Sequence, residues 1–157
     1  MSGEAERYLR EALDLAEQNV RNGGGPFGCV IVKDGAVVAR GVNRVTSLHD
    51  PTAHAEIVAV REACAALGTF QLNGCDVYSS CEPCPMCLGA LYWARPDRIT
   101  FAASRMEAAE AGFDDERIYR EIDLPLTQRT IATVHLPVDD RTRPFRAWAG
   151  QQNRVQY

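Results

Sequence analysis

The chain has 157 residues, 46% of them hydrophobic and 24% charged, with a formal net charge of −4. That length suits about one domain and a core that hides roughly 68–70% of the unfolded surface. No stretch approaches the ~18 apolar residues of a membrane span. The acids between Met1 and Arg10 do not suit a secretory leader, and an acidic chain lacks the basic face that bulk nucleic-acid binding requires. The expectation is a soluble, cytoplasmic protein with no membrane partner.

In chain order, Leu9, Ala12, Leu13, Ala16 and Val20 recur at helical spacing after Ser2, a residue able to cap, and Gly23-Gly24-Gly25-Pro26 closes that helix. Cys29–Val32 and Ala36–Val42 read as strands joined by Asp34-Gly35, a hairpin signal. Asp50 is placed to cap a helix over Thr52–Leu67, with Pro51 at its first position and Gly68 after its end. Asp76–Ser80 predicts a strand, Cys84–Ala94 a helix stopped by Arg95-Pro96, and Arg98–Ala103 another strand. Met106–Ala111 and Asp115–Glu121 read as short helices, Ile131–Leu136 as an alternating fifth strand, and Pro144–Gln152 as a last helix. Without repeat, linker or low-complexity segment, this order implies a single α/β domain spanning 1–157, its central sheet covered by helices on both faces.

Six cysteines without a secretory leader point to thiols or metal ligands rather than disulfides. His54-Ala55-Glu56 is followed, after a helix and a strand, by Pro83-Cys84-Pro85-Met86-Cys87. One imidazole and two thiolates suit a Zn2+ ion, and three ligands leave a fourth position for water, as catalytic sites do. Both groups fall in the first turns of predicted helices, where unbonded N–H groups and the helix dipole stabilise thiolate charge. Glu56 is two residues beyond His54, off its helix face, and is placed to move protons without being a ligand. Zinc brings the pKa of water from ~15.7 towards ~7. With one carboxylate acting as base and then acid, that set suits hydrolytic removal of an amino group from an electron-poor ring carbon. A closed structural site completed by Cys81 is the competing reading, and Cys29, Cys64 and Cys75 read as core residues. Leu91 stands where an iron–sulfur cluster would want a further cysteine, and His49, His54 and His135 form no two-histidine protease motif.

His54-x-Glu56 with Pro83-Cys84-x-x-Cys87 is the signature of the zinc nucleobase deaminases. Together with Gly25-Pro26-Phe27-Gly28, Asp50-Pro51-Thr52-Ala53, Ser80-Cys81-Glu82, Tyr92-Trp93-Ala94-Arg95 and Ala111-Gly112-Phe113-Asp114-Asp115, it makes the chain resemble bacterial guanine deaminases from about Ala5 to Tyr157. The resemblance implies a three-layer α/β/α cytidine deaminase-like fold with a central mixed five-stranded sheet. It implies conversion of guanine and water to xanthine and ammonia, one Zn2+ per subunit on His54, Cys84 and Cys87, and Glu56 as the proton shuttle. It also implies a purine pocket in which Asn43 reads the base, the backbone N–H of Ala55 fixes the ring, and Asp115 accepts from N1–H and the 2-amino group. Phe27 and Trp93 would wall that pocket and Tyr157 would close it. Members of this branch are homodimers that exchange C-terminal segments, so residues from about 113 to 157 would complete the partner's pocket. Read from the residues alone, Asn43 also suits a turn and Asp115 a helix cap. Guanosine, an aminotriazine or, with a basic surface, tRNA adenosine would keep the same catalytic set.

Overall fold

The structure, a computed structural model, describes residues 2–157. The side chain of Ser2, and with it the expected cap, lies outside the described residues. The chain divides into two units, one ending at Ile118 and the other spanning Tyr119–Tyr157.

In the first unit, α1 (Ser2–Arg21) stacks Tyr8, Ala12 and Ala16 at a spacing of four, and that stripe is buried. Strands β1 (Gly28–Lys33) and β2 (Ala36–Val42) form the expected hairpin. Its two turn residues, Asp34 and Gly35, have φ of 51° and 75°, the left-handed pair that matches strand twist. Strands β3 (Cys75–Cys81) and β4 (Arg98–Ala103) complete the sheet, in the order β2-β1-β3-β4. Strand β1 is antiparallel to β2 and β3, while β3 and β4 are parallel, joined through helix α4 (Pro85–Ala94).

Tyr8 and Ala12 of α1 pack with Val30, Val32 and Tyr78 on one face of the sheet. On the other face Cys29, Ile31 and Val77 meet Ala55, Ala59 and Ala63 of helix α3 (Ala55–Leu67), with Leu91 and Ala94 of α4. Strand β1 is covered on both faces, so it reads as a continuous apolar run rather than an alternation. Gly41 lets α3 lie directly on β2, because a Cβ there would stand 2.1 Å from the carbonyl oxygen of Ala55. The layers are helix, sheet, helix.

The described residues depart from two expectations and add one element. Helix α3 starts at Ala55, not Thr52, because Asp50 Oδ1 accepts from Thr52 N–H (2.8 Å) and Thr52 Oγ1 (2.7 Å) and is spent on that turn. A one-turn helix α2 (Val45–Leu48) precedes it. The sheet has four strands among the described residues, not five. Ile131–Leu136 forms no ladder there, and Ile131, Val134 and Leu136 are 77–83% exposed, so the alternating pattern has neither a partner strand nor a face to cover.

Helices α5 (Arg105–Glu110) and α6 (Glu116–Asp123) follow β4. A capping box of Ser104 with Glu107 starts α5. In the second unit a 3-10 turn at Leu126–Gln128 leads to extended chain and then α7 (Arg143–Ala149), shorter than the expected Pro144–Gln152. That unit is tied by Arg129, which donates to the carbonyls of Ile122 and Leu124, and by Thr130, which donates twice to Glu121.

Candidate active site

His54 and Cys84 are both helix N-caps. His54 precedes α3 at φ −68°, ψ 158°, and Cys84 precedes α4 at φ −66°, ψ 169°, with Pro85 at the first helical position. The extended cap lets Cys84 Sγ accept from the N–H of Cys87 at 3.5 Å. Because α3 and α4 cover the same face of the sheet, two caps 30 residues apart meet: His54 Nδ1 lies 3.6 Å from Cys84 Sγ and 3.5 Å from Cys87 Sγ. Ligand atoms of the three residues all lie within 4.8 Å of one another, and no other trio does so among the described residues. Cys81 stays out of it, its Sγ directed at the carbonyl of Ser104 at 3.8 Å, so the closed four-ligand reading is not supported.

The donor chemistry fits zinc: one imidazole nitrogen, two sulfurs, and one tetrahedral position left over. Of the two thiols Cys84 is held as thiolate. Hydrogen bonding from Cys87, then from His54, brings it down to about 4 against the opposing effect of burial. Cys87 is pushed up by that same bond and by burial. His54 is raised, chiefly by its bond to Cys84.

Glu56, in the first turn of α3, is 6% exposed. Ser79 Oγ on β3 donates to its Oε1 at 3.1 Å, and Cys87 Sγ lies 3.4 Å from its Oε2. Burial raises its pKa, which brings the carboxyl toward the range in which it can both take and give a proton. Sequence reasoning passed over Ser79. The signal was two adjacent serines, Ser79 and Ser80, in the buried C-terminal part of β3; Ser80 Oγ accepts from Gly28 N–H at 3.0 Å.

A cavity of about 540 Å³ opens over this cluster, lined by His54, Glu56 and Cys84 and by Asn43, Phe27 and Asp115 from the expected purine set. That volume is within the span of small-molecule sites. Phe27 stands edge-on to Phe113, ring centroids 4.9 Å apart at 85°; Phe113, Cys81 and Glu82 also line the cavity, residues to which no pocket role was assigned from the sequence. Asn43 Oδ1 accepts weakly from Val45 N–H at 3.3 Å. Asp115 does not cap α6: Asp114 Oδ1 takes the N–H of Arg117 at 3.4 Å. Asp115 Oδ1 is instead buried without a hydrogen-bond partner, the only such side-chain atom among the described residues, and burial raises its pKa.

Ala55 is the first residue of α3 and fully buried, and its N–H belongs to the first-turn groups that have no carbonyl within the helix. Trp93 is not a wall of this cavity. The buried stripe of α4 is Cys87, Leu91 and Ala94, and Trp93 falls off it, 64% exposed. Tyr157 is 71% exposed in the second unit.

Residues 2–103 match the cytidine and deoxycytidylate deaminase zinc-binding region. The chain belongs to that family of zinc deaminases. Guanine deaminase of Bacillus subtilis (strain 168) is 54% identical over 97% of this chain and 98% of its own length. The X-ray structure of guanine deaminase from Bacillus subtilis gives a TM-score of 0.95, covering 97% and 98% of the two chains. A tRNA-specific adenosine deaminase of Aquifex aeolicus is 34% identical over 86% of this chain and 87% of its own length. A solved structure in complex with 2,6-diaminopurine is 34% identical at TM-score 0.69, covering 71% of this chain and 62% of its own.

Proposed function

We propose that the chain deaminates guanine: water adds at C2, the C2–N bond breaks, and xanthine and ammonia leave. The observation that carries this reading is Asp115 Oδ1, buried and unpartnered in the cavity that holds Glu56 and the zinc trio. An acceptor in that state costs about 1–3 kcal/mol unless a ligand brings donors, and guanine presents two side by side, N1–H and the 2-amino group. The high identity to a guanine deaminase supports the same substrate.

Zinc on His54, Cys84 and Cys87 supplies the Lewis acidity that makes water a nucleophile near neutral pH. Glu56, held through Ser79, takes a proton from the attacking water and gives it to N3, then takes the proton of the new C2 hydroxyl and passes it to the departing amine, which leaves as ammonia while C2 becomes a carbonyl. Asn43 holds the base edge, because an amide both donates and accepts; the Ala55 N–H adds a donor; Phe27 covers the ring. The test is ammonia release by zinc-loaded protein from guanine, guanosine, adenine, cytosine and an aminotriazine at equal concentration. Release from guanine far above the others is expected. Preference for guanosine or the triazine would keep Glu56 and remove Asp115 as the selector, and activity only on folded tRNA would move the chain to the tRNA-editing reading.

The same proposal includes a homodimer, one deaminase domain per chain, whose C-terminal segments, expected from about 113 to 157, are exchanged beyond Ile118, which keeps Asp115 in the cavity of its own chain, with Tyr157 closing the partner's pocket. Three features support it: the division of the chain after Ile118, the exposed apolar series Ile131, Val134 and Leu136, and the edge position of β4. An edge strand offers unused N–H and C=O groups, and a 131–136 segment laid on it by a second copy would restore the fifth strand. A cytoplasmic location is supported by six free thiols.

A further inference from the structure

We infer that Asn19, a residue of α1 outside the zinc motif and outside the cavity, is a positioning residue that sets Asn43 and the glycine loop against the bound base; this rests on the purine-reading role proposed for Asn43. The Asn19 side-chain amide donates to two carbonyls at once, Gly25 O at 2.8 Å and Asn43 O at 2.8 Å. Gly25 belongs to the loop that leads into β1, and Asn43 is the residue that leaves β2; the two strand ends are neighbours because Gly28 pairs with Val42. Two carbonyl dipoles brought side by side repel unless a donor stands between them, and one NH2 group with both hydrogens engaged does this.

The clamp is tight. The backbone of Asn19 accepts Gly24 N–H at 2.8 Å, and a Cβ on Gly24 would lie 2.4 Å from Asn19 Nδ2. A Cβ on Gly25 would lie 2.9 Å from Asn43 Cγ, so the loop backbone is the surface on which the Asn43 amide rests. The N–H of Asn43 donates to Phe27 O at 3.2 Å. With its carbonyl held by Asn19 and its N–H by Phe27, the main chain of Asn43 is fixed at both polar groups, and its amide reaches the cavity from a set place.

Asn19→Asp tests this, since a carboxylate has the shape of the amide but can donate to neither carbonyl. Losing two neutral hydrogen bonds and adding acceptor repulsion predicts a kcat/KM for guanine down roughly ten-fold or more, expressed in KM. In an Asn43→Ala background the same change should cost less than about two-fold, because a residue acting through Asn43 has nothing left to position. An equal loss in both backgrounds would make Asn19 a purely structural residue and overturn the inference, as would unchanged kcat/KM in the single variant. A crystal structure of the Asn19→Asp protein reads the geometry without any substrate. Gly25 and Asn43 drawn apart supports the clamp, and an unmoved pair refutes it, even if the unsubstituted enzyme proves to use another substrate. Asn19→Leu, uncharged and unable to donate, serves if the aspartate variant does not fold.

Discussion

Glu56 and Asp115 face the same cavity, but their replacements should be told apart by different measurements. Glu56→Gln keeps the acceptor for Ser79 Oγ and leaves the zinc trio untouched, so zinc content by mass spectrometry should stay at one per chain. Turnover should fall about 10²–10⁴-fold, the usual worth of a general acid–base group. Asp115→Asn should lower guanine turnover while raising Tm, because the native protein keeps a buried, unpartnered carboxylate oxygen that a neutral amide replaces. Burial lifts the Asp115 pKa above its ordinary value, so the folded state holds that proton at pH values where the unfolded chain has lost it. Stability therefore falls as pH rises through the window between the two, and the full penalty applies above it. The Tm advantage of Asp115→Asn should be largest near neutrality and shrink on acidification; thermal melts across pH measure it, and an advantage that grew toward low pH would contradict the argument. His54, Glu56, Cys84 and Cys87 were legible in the sequence because metal ligation demands rare residue types at fixed spacing. Trp93 lies off the buried stripe of α4 and outside this cavity's lining, a placement that a motif, which records identity and not helix face, does not carry. Ser79 escaped because a hydroxyl's partner, 23 residues distant, leaves no local pattern.

Helix starts decide where the chemistry sits. The predicted start of α3 was three residues early because a capping residue and a proline are the same signal for a turn and for a helix, and only the bonds Asp50 makes to Thr52 distinguish them. The late start is what leaves His54 as the N-cap, with its ring turned to Cys84 and Cys87. Strands β2 and β4 were found at their true bounds because turn residues bracket them on both sides. The close seat of α3 on β2 gives a test at this scale. Gly41→Ala drives a methyl into the Ala55 carbonyl and the Ala59 backbone, so stability should fall by about 1–3 kcal/mol, as overpacking generally costs. The shift of α3 should carry His54 with it. Competition with a chelating dye should then show weaker zinc binding, whereas unaltered zinc affinity would mean that the helix end is held by its ligands rather than by the sheet.

Beyond single elements, the segment 131–136 poses a question that one chain cannot answer for itself. Its apolar side chains are exposed, and a substitution at so exposed a residue ordinarily changes stability by less than about 0.5 kcal/mol. If two copies exchange this segment, Leu136→Asp instead places a charge in an intermolecular contact, and sedimentation should show a dimer reduced to monomer at micromolar concentration. Equal sedimentation of the two proteins would exclude the segment from the interface. The alternation over 131–136 was legible as periodicity, but periodicity names no partner strand, and among the described residues the segment joins no sheet.

The assembly of the zinc trio from two distant helix caps also imposes an order in time. His54 emerges from the ribosome 33 residues before Cys87, an interval of about 2–7 s at roughly 5–20 residues per second. Helix α1 and the β1–β2 hairpin are local and can form within that interval. The full three-ligand set therefore exists only once Cys87 has emerged, after every residue of α1, the β1–β2 hairpin and β3.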